Sequence, residues 1–504
     1  MINMLNGKWR SGRKSSLLNT ILLVTSFAIV LVLSVLTDSQ PAYALPLHTG
    51  NVRAIPAFAR KYGLPCSACH TAWPELNNFG QTFRDNGYQL NNDHDSPIYQ
   101  DPGYFPISFR TTPNWHREGV NNQLIDAVPG VAGDPVTGEG MVNGRVTTHG
   151  FDLSGFDLWS AGTLYKNISF TVLPAIESSG ALHFEAAFIR FDNLLKSRWL
   201  NLKLGKFELD NMLSEKRFLF LSKNGGSYQS YHFVPTGELS NAFGLGDNQL
   251  GVELSGHSVN SYTRYGVALL SSNDGSPELP TSRSYDTYLT FSQAFPVGKL
   301  GLQRLGGFAY LGQRPTIALT SGAINPCTTP PSAIPCTNPG DASTPIPGAG
   351  YGNKSFYRVG FSGDFNIGKL QVLPFFLHGY ESAFLGTNTP ANAALPDGAM
   401  APTWNAGFVE THLHLSPQFV FTNRFELIRM SRQALPETPL TTGNIDAYTV
   451  GYRWYPIMFS RAGIAFHNEY SIIKTQGIGV GATPFDPPTA VWSSSVHAGF
   501  DIAF

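Results

Sequence analysis

Two cysteines and a histidine stand close together in the first part of the chain, in the order Cys66-Ser67-Ala68-Cys69-His70. C-x-x-C-H is the attachment pattern of c-type haem. Its spacing lets two thiols form thioethers with the two vinyl groups of one haem and places a histidine beside them as an iron ligand. The motif therefore predicts one covalent haem c, attached to Cys66 and Cys69 with His70 as an axial ligand.

Two other interpretations of the motif are weaker. A thioredoxin-like redox pair is expected near a βαβ pattern, and a zinc site needs a further Cys/His pair at zinc spacing. Neither signal is present in the sequence. The remaining cysteines, Cys327 and Cys336, lie in a Pro-, Gly- and Thr-rich stretch, and no histidine follows either one. An oxidising compartment favours a structural disulfide between them.

The sixth ligand of the iron stays open. Methionine is the common partner in cytochromes c, but no methionine lies between Met4 and Met141. The local candidates are therefore His48, His94 and His116, with Met141 further along the chain. We favour a histidine, with His94 ahead because it follows the helix predicted after the haem motif. An open or water-bound position is the alternative.

A short helix is predicted after the motif. Pro74 suits the first turn of a helix, and Gly87 suits the position after its end. Leu76, Phe79 and Phe83 share one face by their three- and four-residue spacing. We expect these three side chains to pack against the porphyrin.

Composition favours a transmembrane β-barrel for the rest of the chain. Charged residues make up only 14% of it and aromatic residues 12%, yet the mean hydropathy is −0.09. Strands that alternate lipid-facing and lumen-facing residues average out in this way, whereas every membrane helix needs about 20 apolar residues. A formal net charge of −1 gives no indication of nucleic-acid binding.

From about Phe105 the sequence alternates between apolar and polar residues in strand-length segments, and the chain ends on such a segment with Phe504. A terminal aromatic residue of this kind resembles the assembly signal of outer-membrane barrels. Long connections, such as 116–144 and 209–248, alternate with short ones, as outer loops alternate with periplasmic turns in barrels. The predicted fold is mainly β: a transmembrane antiparallel β-barrel of about 16 strands, preceded by a short helical c-type haem segment. A secreted β-sandwich or propeller is the alternative.

The predicted organisation has three parts. A basic start, an apolar run over 17–36 and the site Ala42-Tyr43-Ala44 predict a cleaved signal peptide over residues 1–44, with a retained membrane anchor as the alternative. Residues 45–100 form the haem c-binding segment, which is too short to bury a haem alone. Residues 105–504 form the barrel, whose lumen is the expected shelter. These features predict the outer membrane of a Gram-negative bacterium.

The haem motif is preceded by the run from Ala54 to Gly63 and followed by Leu76-Asn77, Phe79-Gly80 and Gly87-Tyr88. Over about residues 54–90 this pattern resembles the fused monohaem cytochrome c–porins of the outer membrane, best known from iron-oxidising bacteria. The resemblance implies electron transfer from extracellular Fe(II) to periplasmic carriers such as soluble c-type cytochromes, within outer-membrane lipid. It leaves open whether this amounts to Fe(II) oxidase activity. Iron oxidisers usually have Arg-Gln-Thr-Gly where this chain has Arg60-Lys61-Tyr62-Gly63, so another extracellular reductant is an alternative donor.

A haem near the outer face would keep oxidised iron, which precipitates near neutral pH, outside the cell. Acidic residues Asp126, Asp134 and Glu139 are candidates for attracting Fe(II), although solvated loop charges are their more common role. A solute-transport porin with a haem-bearing plug or sensor is a second function. A haem enzyme such as a peroxidase is a third, and it needs a distal acid–base pair that the sequence does not reveal.

Overall fold

The computed structural model describes residues 57–62, 64–90, 107–133, 139–176, 182–217, 219–235, 244–271, 285–315, 353–384, 393–394, 400–433, 440–458, 463–477 and 489–504. The predicted signal peptide lies outside these residues. No helix in the described part of the chain is long and apolar enough to cross a membrane.

Sixteen antiparallel strands close into one barrel, which confirms the predicted fold class. Each barrel strand pairs with the barrel strands before and after it in sequence, and the last one pairs with the first. At this seam Phe109 and Phe504 exchange two backbone hydrogen bonds, with N···O distances of 2.8 and 3.0 Å. The barrel strands are β3 (Ile107–Asp126), β4 (Met141–Tyr165), β5 (Ile168–Ile176), β6 (Leu182–Phe191), β7 (Asn201–Glu208), β8 (Asn248–His257), β9 (Thr263–Ser271), β10 (Tyr285–Pro296), β11 (Leu302–Pro315), β12 (Asn353–Ile367), β13 (Leu370–Glu381), β16 (Thr403–Ser416), β17 (Phe419–Arg432), β18 (Ile445–Met458), β19 (Gly463–Gly477) and β20 (Thr489–Ala503). A separate two-residue pair joins β14 (Ala383–Phe384) to β15 (Ala393–Ala394).

The two faces of the barrel wall have opposite chemistry. Large apolar side chains remain exposed on the outside, among them Leu269, Phe291, Phe361, Phe376, Val409 and Phe500. Charged side chains are buried on the inside, among them Arg190, Arg264, Arg358, Glu410, Arg424, Arg453 and Asp501. This arrangement is the reverse of a water-soluble domain and matches a barrel whose outer surface contacts lipid.

The connections between strands are short at one end of the barrel and long at the other. We call these the short-turn end and the long-loop end.

One predicted boundary is wrong. The connection expected over 116–144 is shorter, because β3 continues to Asp126 and β4 already begins at Met141. Backbone pairing between the two strands continues from Glu118, opposite Thr148, to Asp126, opposite Met141. Polar residues interrupt the apolar alternation in this part, so the sequence pattern did not reveal these strand ends.

The N-terminal segment enters the lumen at the short-turn end. It contains α1 (Ala57–Tyr62), α2 (Cys66–Cys69), β1 (His70–Ala72), β2 (Glu75–Leu76) and α3 (Asn78–Asp85). Side chains tie it to the wall at separate points: Asn78 Nδ2 donates to the Asn260 carbonyl at 3.1 Å, and Gln89 Nε2 donates to the Lys166 carbonyl at 2.7 Å. Both carbonyls belong to short turns, so this segment plugs that end of the barrel.

The described residues of the connection between β7 and β8, 209–217, 219–235 and 244–247, fold into the lumen above the plug. We call this connection the inward loop; it contains a 3-10 turn (Glu215–Arg217) and α4 (Gln229–His232). Tyr228 stacks on Phe408 of the wall, with ring centroids 4.3 Å apart. The Glu426 carboxylate accepts hydrogen bonds from the backbone N–H groups of Gln229 and Ser230, at 3.0 and 2.7 Å. Two separate segments therefore cross the lumen.

Replacing Glu426 by Ala should loosen the inward loop. The substitution leaves two backbone N–H donors at the start of α4 without their acceptor, and each unsatisfied buried group costs about 1–3 kcal/mol. Limited proteolysis of the folded protein should then cleave residues 209–247 at least tenfold faster, because cleavage follows the population of the open form. The control is Asp446→Ala, which removes an exposed ion pair with Arg429 of little value. Equal cleavage rates in the two variants would contradict the anchoring role of Glu426.

Candidate haem-binding site

The three residues of the haem motif line one cavity inside the barrel. Cys66, Cys69 and His70 all border it. Its volume is about 310 Å³, which is within the range of about 300–1,000 Å³ for small-molecule and cofactor sites. Strands β3 to β8 and the end of β20 form one side, the N-terminal segment forms another, and the inward loop contributes Lys216 and Arg217. The lumen thus shelters the motif, as the short length of the haem segment led us to expect.

The imidazole of His70 is prepared to bind a metal through one nitrogen. Its Nδ1 lies 3.1 Å from the Pro74 carbonyl oxygen and 3.2 Å from the Glu75 carbonyl oxygen. Carbonyl oxygens only accept hydrogen bonds, so Nδ1 carries the proton and Nε2 keeps its lone pair. Burial lowers the pKa of His70 to about 4, so the ring is neutral at pH 7. Metal-ligating histidines are usually held by such a hydrogen bond from the other nitrogen.

The two thiols are neutral as well. Burial raises the pKa of Cys66, and burial together with the neighbouring Cys66 raises the pKa of Cys69 to about 11. Reactive redox cysteines have lowered pKa values, so this setting disfavours a thioredoxin-like pair. Thioether formation would add no charge to the cavity.

The helix after the motif differs from its prediction in two respects. It begins at Asn78, with Asn77 as the capping residue; Pro74 precedes it in the turn between β1 and β2. Phe79 points away from the cavity and is 46% exposed. The helix face turned to the cavity carries Gly80 and Phe83, and Leu76 lines the cavity just before the helix. Gly80 lies close against the haem motif. The predicted end is confirmed, since Gly87 follows the helix with φ of +74°.

Asn77 and Gly80, to which we had given no role, join α3 to the haem motif. The Asn77 side-chain oxygen accepts from the Gly80 N–H at 2.9 Å, and its Nδ2 donates to the Ala68 carbonyl at 3.0 Å. The Asn77 N–H donates to the Cys69 carbonyl at 2.9 Å. An asparagine at the start of a helix is a recognisable cap signal, so the sequence did contain a clue to the correct boundary.

Side chains of the barrel wall hold the turn that supports His70. Tyr455 Oη donates to the Trp73 carbonyl at 2.7 Å. Gln371 Nε2 donates to one carboxylate oxygen of Glu75 at 2.6 Å, and His412 Nδ1 lies 3.1 Å from the other. These wall residues are more than 290 positions away in sequence, so no local pattern could have revealed the contact.

The end of α3 is fixed by buried ion pairs. Asp85 receives Arg264 Nε at 2.8 Å, and the same guanidinium reaches Asp210 of the inward loop at 2.7 Å. Burial alone would raise the pKa of Asp85, but the charge of Arg264 outweighs it and keeps the pKa below its usual value. Arg190 also donates to the Arg84 carbonyl at 2.8 Å. The plug is thus held by charged contacts on several sides.

The cavity is mainly apolar, and the cations that line it are each paired with a carboxylate. Aromatic and aliphatic walls dominate, and the charged residues that line it are Arg84, Arg110, Arg190, Lys203, Lys216, Arg217 and a single acid, Glu208. Burial and the neighbouring Arg84 lower the pKa of Arg217 despite its ion pair with Glu208. Such a site suits a flat apolar group that carries carboxylates, as a haem does with its two propionates.

The other predicted ligands fall elsewhere. His94, His48, Cys327 and Cys336 lie outside the described residues. His116 belongs to the barrel wall opposite His497, and Met141 begins β4; neither lines the cavity. Among the described residues, no group of three or more His, Cys, Asp or Glu side chains is arranged to hold a metal ion.

Glu410, His412 and His414 share one face of β16 and form polar lining of the lumen. His412 Nε2 lies 2.7 Å from a Glu410 carboxylate oxygen, and its Nδ1 faces Glu75. Both nitrogens of that ring are thus engaged, Nδ1 with Glu75 of the plug and Nε2 with Glu410 of the wall.

No protein-family model and no curated protein sequence matches the chain. Solved structures of similar fold include an anion-selective porin from Comamonas acidovorans, with 10% sequence identity and a TM-score of 0.45 over 79% of this chain and 99% of the porin. The trimer form of OmpT from Vibrio cholerae gives 11% and 0.41 over 78% and 98%, and OprB from Pseudomonas putida gives 9% and 0.40 over 79% and 94%. At these scores the likeness carries no conclusion about function, and the barrel rests on the strand pairing of this chain.

Replacing Gly80 by Ala should separate α3 from the haem motif. A Cβ atom at this position would lie 2.2 Å from the Cys69 carbonyl oxygen, and overpacking of this kind costs about 1–3 kcal/mol. In haem-free protein that also carries Cys327→Ser and Cys336→Ser, thiol reagents should label Cys66 and Cys69 roughly tenfold faster.

The matched control is Gly477→Ala, because nothing lies within 4 Å of a Cβ atom at that position. Its labelling rate should equal that of the parent. If Gly80→Ala also labels at the parent rate, the close contact between α3 and the motif is not a constraint.

Proposed function

We propose that this protein is an outer-membrane monohaem c-type cytochrome fused to a porin-like barrel, and that it passes electrons from an extracellular donor to soluble periplasmic carriers. Fe(II) is the first candidate for the donor. One observation carries the proposal: Cys66, Cys69 and His70 line a single lumen cavity, in which two carbonyl oxygens hold His70 Nδ1 and leave Nε2 available.

The residues present fit a covalent haem c. Cys66 and Cys69 would attach it, His70 would ligate its iron, and the cations at the cavity edge would pair with its carboxylates. A bound haem supplies one-electron chemistry at its iron. The wall, the plug and the inward loop all line the cavity. Such surroundings favour electron transfer over chemistry on a bulky substrate.

The cavity lies toward the short-turn end, which corresponds to the periplasmic side in outer-membrane barrels. The expectation of a haem near the outer face is therefore not supported. An extracellular donor ion should approach from the long-loop end. Asp126 and Glu139 are exposed there and remain candidates for attracting it, while Asp134 lies outside the described residues.

The rival function, a solute-transport porin, is less well supported. The plug and the inward loop both cross the lumen, whereas a transport porin keeps a water-filled channel. The peroxidase alternative also gains nothing, since the described cavity lining contains no second histidine and a single acid, Glu208, which is paired with Arg217 at 2.5 Å.

The first test is optical. Detergent-solubilised protein should give the pyridine haemochrome spectrum of one covalent haem c, and the variant Cys66→Ser/Cys69→Ser should lose it. Anaerobic Fe(II) should then produce the reduced α-band of the parent rapidly and completely. Reduction by dithionite but not by Fe(II) would leave a conduit with another donor. Absence of covalent haem would overturn the proposal, and flux of sugars into proteoliposomes would point to a transport porin.

Replacing Arg217 by Leu should lower the reduction potential. Arg217 lines the cavity, and a unit charge about 10 Å from any redox centre contributes about 1.7 kcal/mol at an effective dielectric constant of about 20, or roughly 70 mV for one electron. Losing this cation, and leaving Glu208 unpaired, should favour the oxidised form by a shift of that order. Spectroelectrochemical titration measures it, with the exposed Arg145→Leu at the other end of the barrel as the control. A potential equal to that of the control would remove Arg217 from the haem environment.

A further inference from the structure

Among the described residues, five short turns of the barrel carry exposed charge of one sign. These neighbouring turns, 166–167, 192–200, 258–262, 297–301 and 368–369, join β4 through β13 at the short-turn end. They contribute the basic residues Lys166, Lys196, Arg198, Lys299 and Lys369, of which all except the half-buried Arg198 are exposed. Their one acid, Asp192, is buried at 2% exposure and paired with Arg190. We call these five residues the basic arc.

Apolar side chains project from the same surface. Leu195 is 90% exposed and Val259 67% exposed, each in one of these turns. Leu195 has φ of +52°, a left-handed conformation that is unfavourable for leucine. Strained residues of this kind are found most often at functional sites. Phe79 on α3 is exposed beside the turn 258–262, to which Asn78 and Thr82 are hydrogen-bonded.

This surface lies directly over the candidate haem site. Phe79 occupies the outer face of α3, while Gly80 and Phe83 on the inner face line the cavity. Within the described part of the chain, the helix α3, about 10 Å across, therefore separates the cavity from solvent at this end. A redox partner that docks here would reach the shortest protein path to the cofactor.

We propose that the basic arc, together with the neighbouring apolar residues Phe79, Leu195 and Val259, is the docking surface for an acidic soluble electron-transfer protein. The inference rests on the proposed function and specifies the partner by its charge. Opposite charges steer such encounters and raise association rates by 10- to 1,000-fold at low salt, and weak redox complexes use small interfaces of this kind. The exchange moves one electron from the reduced cofactor to the acceptor and transfers no proton or group.

The test uses full-length haem-loaded protein in nanodiscs, reduced with dithionite and freed of excess reductant. Stopped-flow mixing follows its oxidation by two probes too large to enter the lumen, an acidic plastocyanin and a basic mitochondrial cytochrome c. At about 10 mM ionic strength plastocyanin should react at least tenfold faster. The variant K196E/K299E/K369E should lose at least tenfold in rate with plastocyanin and gain with cytochrome c. Both effects should shrink near 1 M salt, where the Debye length falls to about 3 Å.

Two further variants separate docking from general effects. The neutral K196Q/K299Q/K369Q should lose less than the charge reversal, and it keeps the test decisive if the reversed variant fails to fold. The variant R117E/R145E/K474E reverses three charges toward the long-loop end and should stay within about twofold of the parent.

Equal rates for the two probes, or equal effects of the variants at the two ends, would overturn the docking surface. Unchanged rates together with weaker insertion into anionic-lipid nanodiscs would instead assign the basic arc to lipid headgroups. Neither outcome affects the proposed function, because haem content and reduction by Fe(II) are measured before any partner is added.

Discussion

Charged side chains on the inside of the barrel need partners, and much of the architecture follows from this requirement. A barrel of 16 strands is too wide for the side chains of the wall to fill it alone, and an unpaired buried charge is costly. Two segments of the chain supply the partners. Glu75 and Asp85 of the plug meet His412 and Arg264, while backbone groups of the inward loop meet Glu426. The lumen is closed by the same contacts that satisfy its wall.

Against this polar background the candidate haem site is a local exception. Its walls are aromatic and aliphatic, and burial keeps the thiols and the imidazole of His70 uncharged. Cations gather only at its rim. An apolar pocket bordered by paired cations provides both burial for a macrocycle and basic groups for its carboxylates, and those two features of the environment set a haem potential through dielectric and charge.

Sequence periodicity predicted the barrel because its signals are local: a strand in a two-faced wall must alternate, and each of its residues reports one face. The haem motif was predictable because its chemistry depends on five consecutive residues. The helix after it was placed wrongly because apolar spacing shows which residues share a face, but not which face is occupied. Gly80, rather than Phe79, lies against the motif. The contacts of Tyr455, Gln371 and His412 with the plug were beyond prediction, since they depend on which wall positions closure of the barrel brings inward.

Arg264 has a consequence for how the interior can open. Its guanidinium reaches Asp85 of the plug and Asp210 of the inward loop, and Arg84 of the plug also pairs with Asp210 at 3.3 Å. Moving the plug away therefore removes one of the two cations that compensate the buried carboxylate of Asp210. The two obstructions in the lumen are energetically coupled, and partial opening of one alone is disfavoured. The interior therefore behaves as a single cooperative unit, in which the two layers loosen together or hold together.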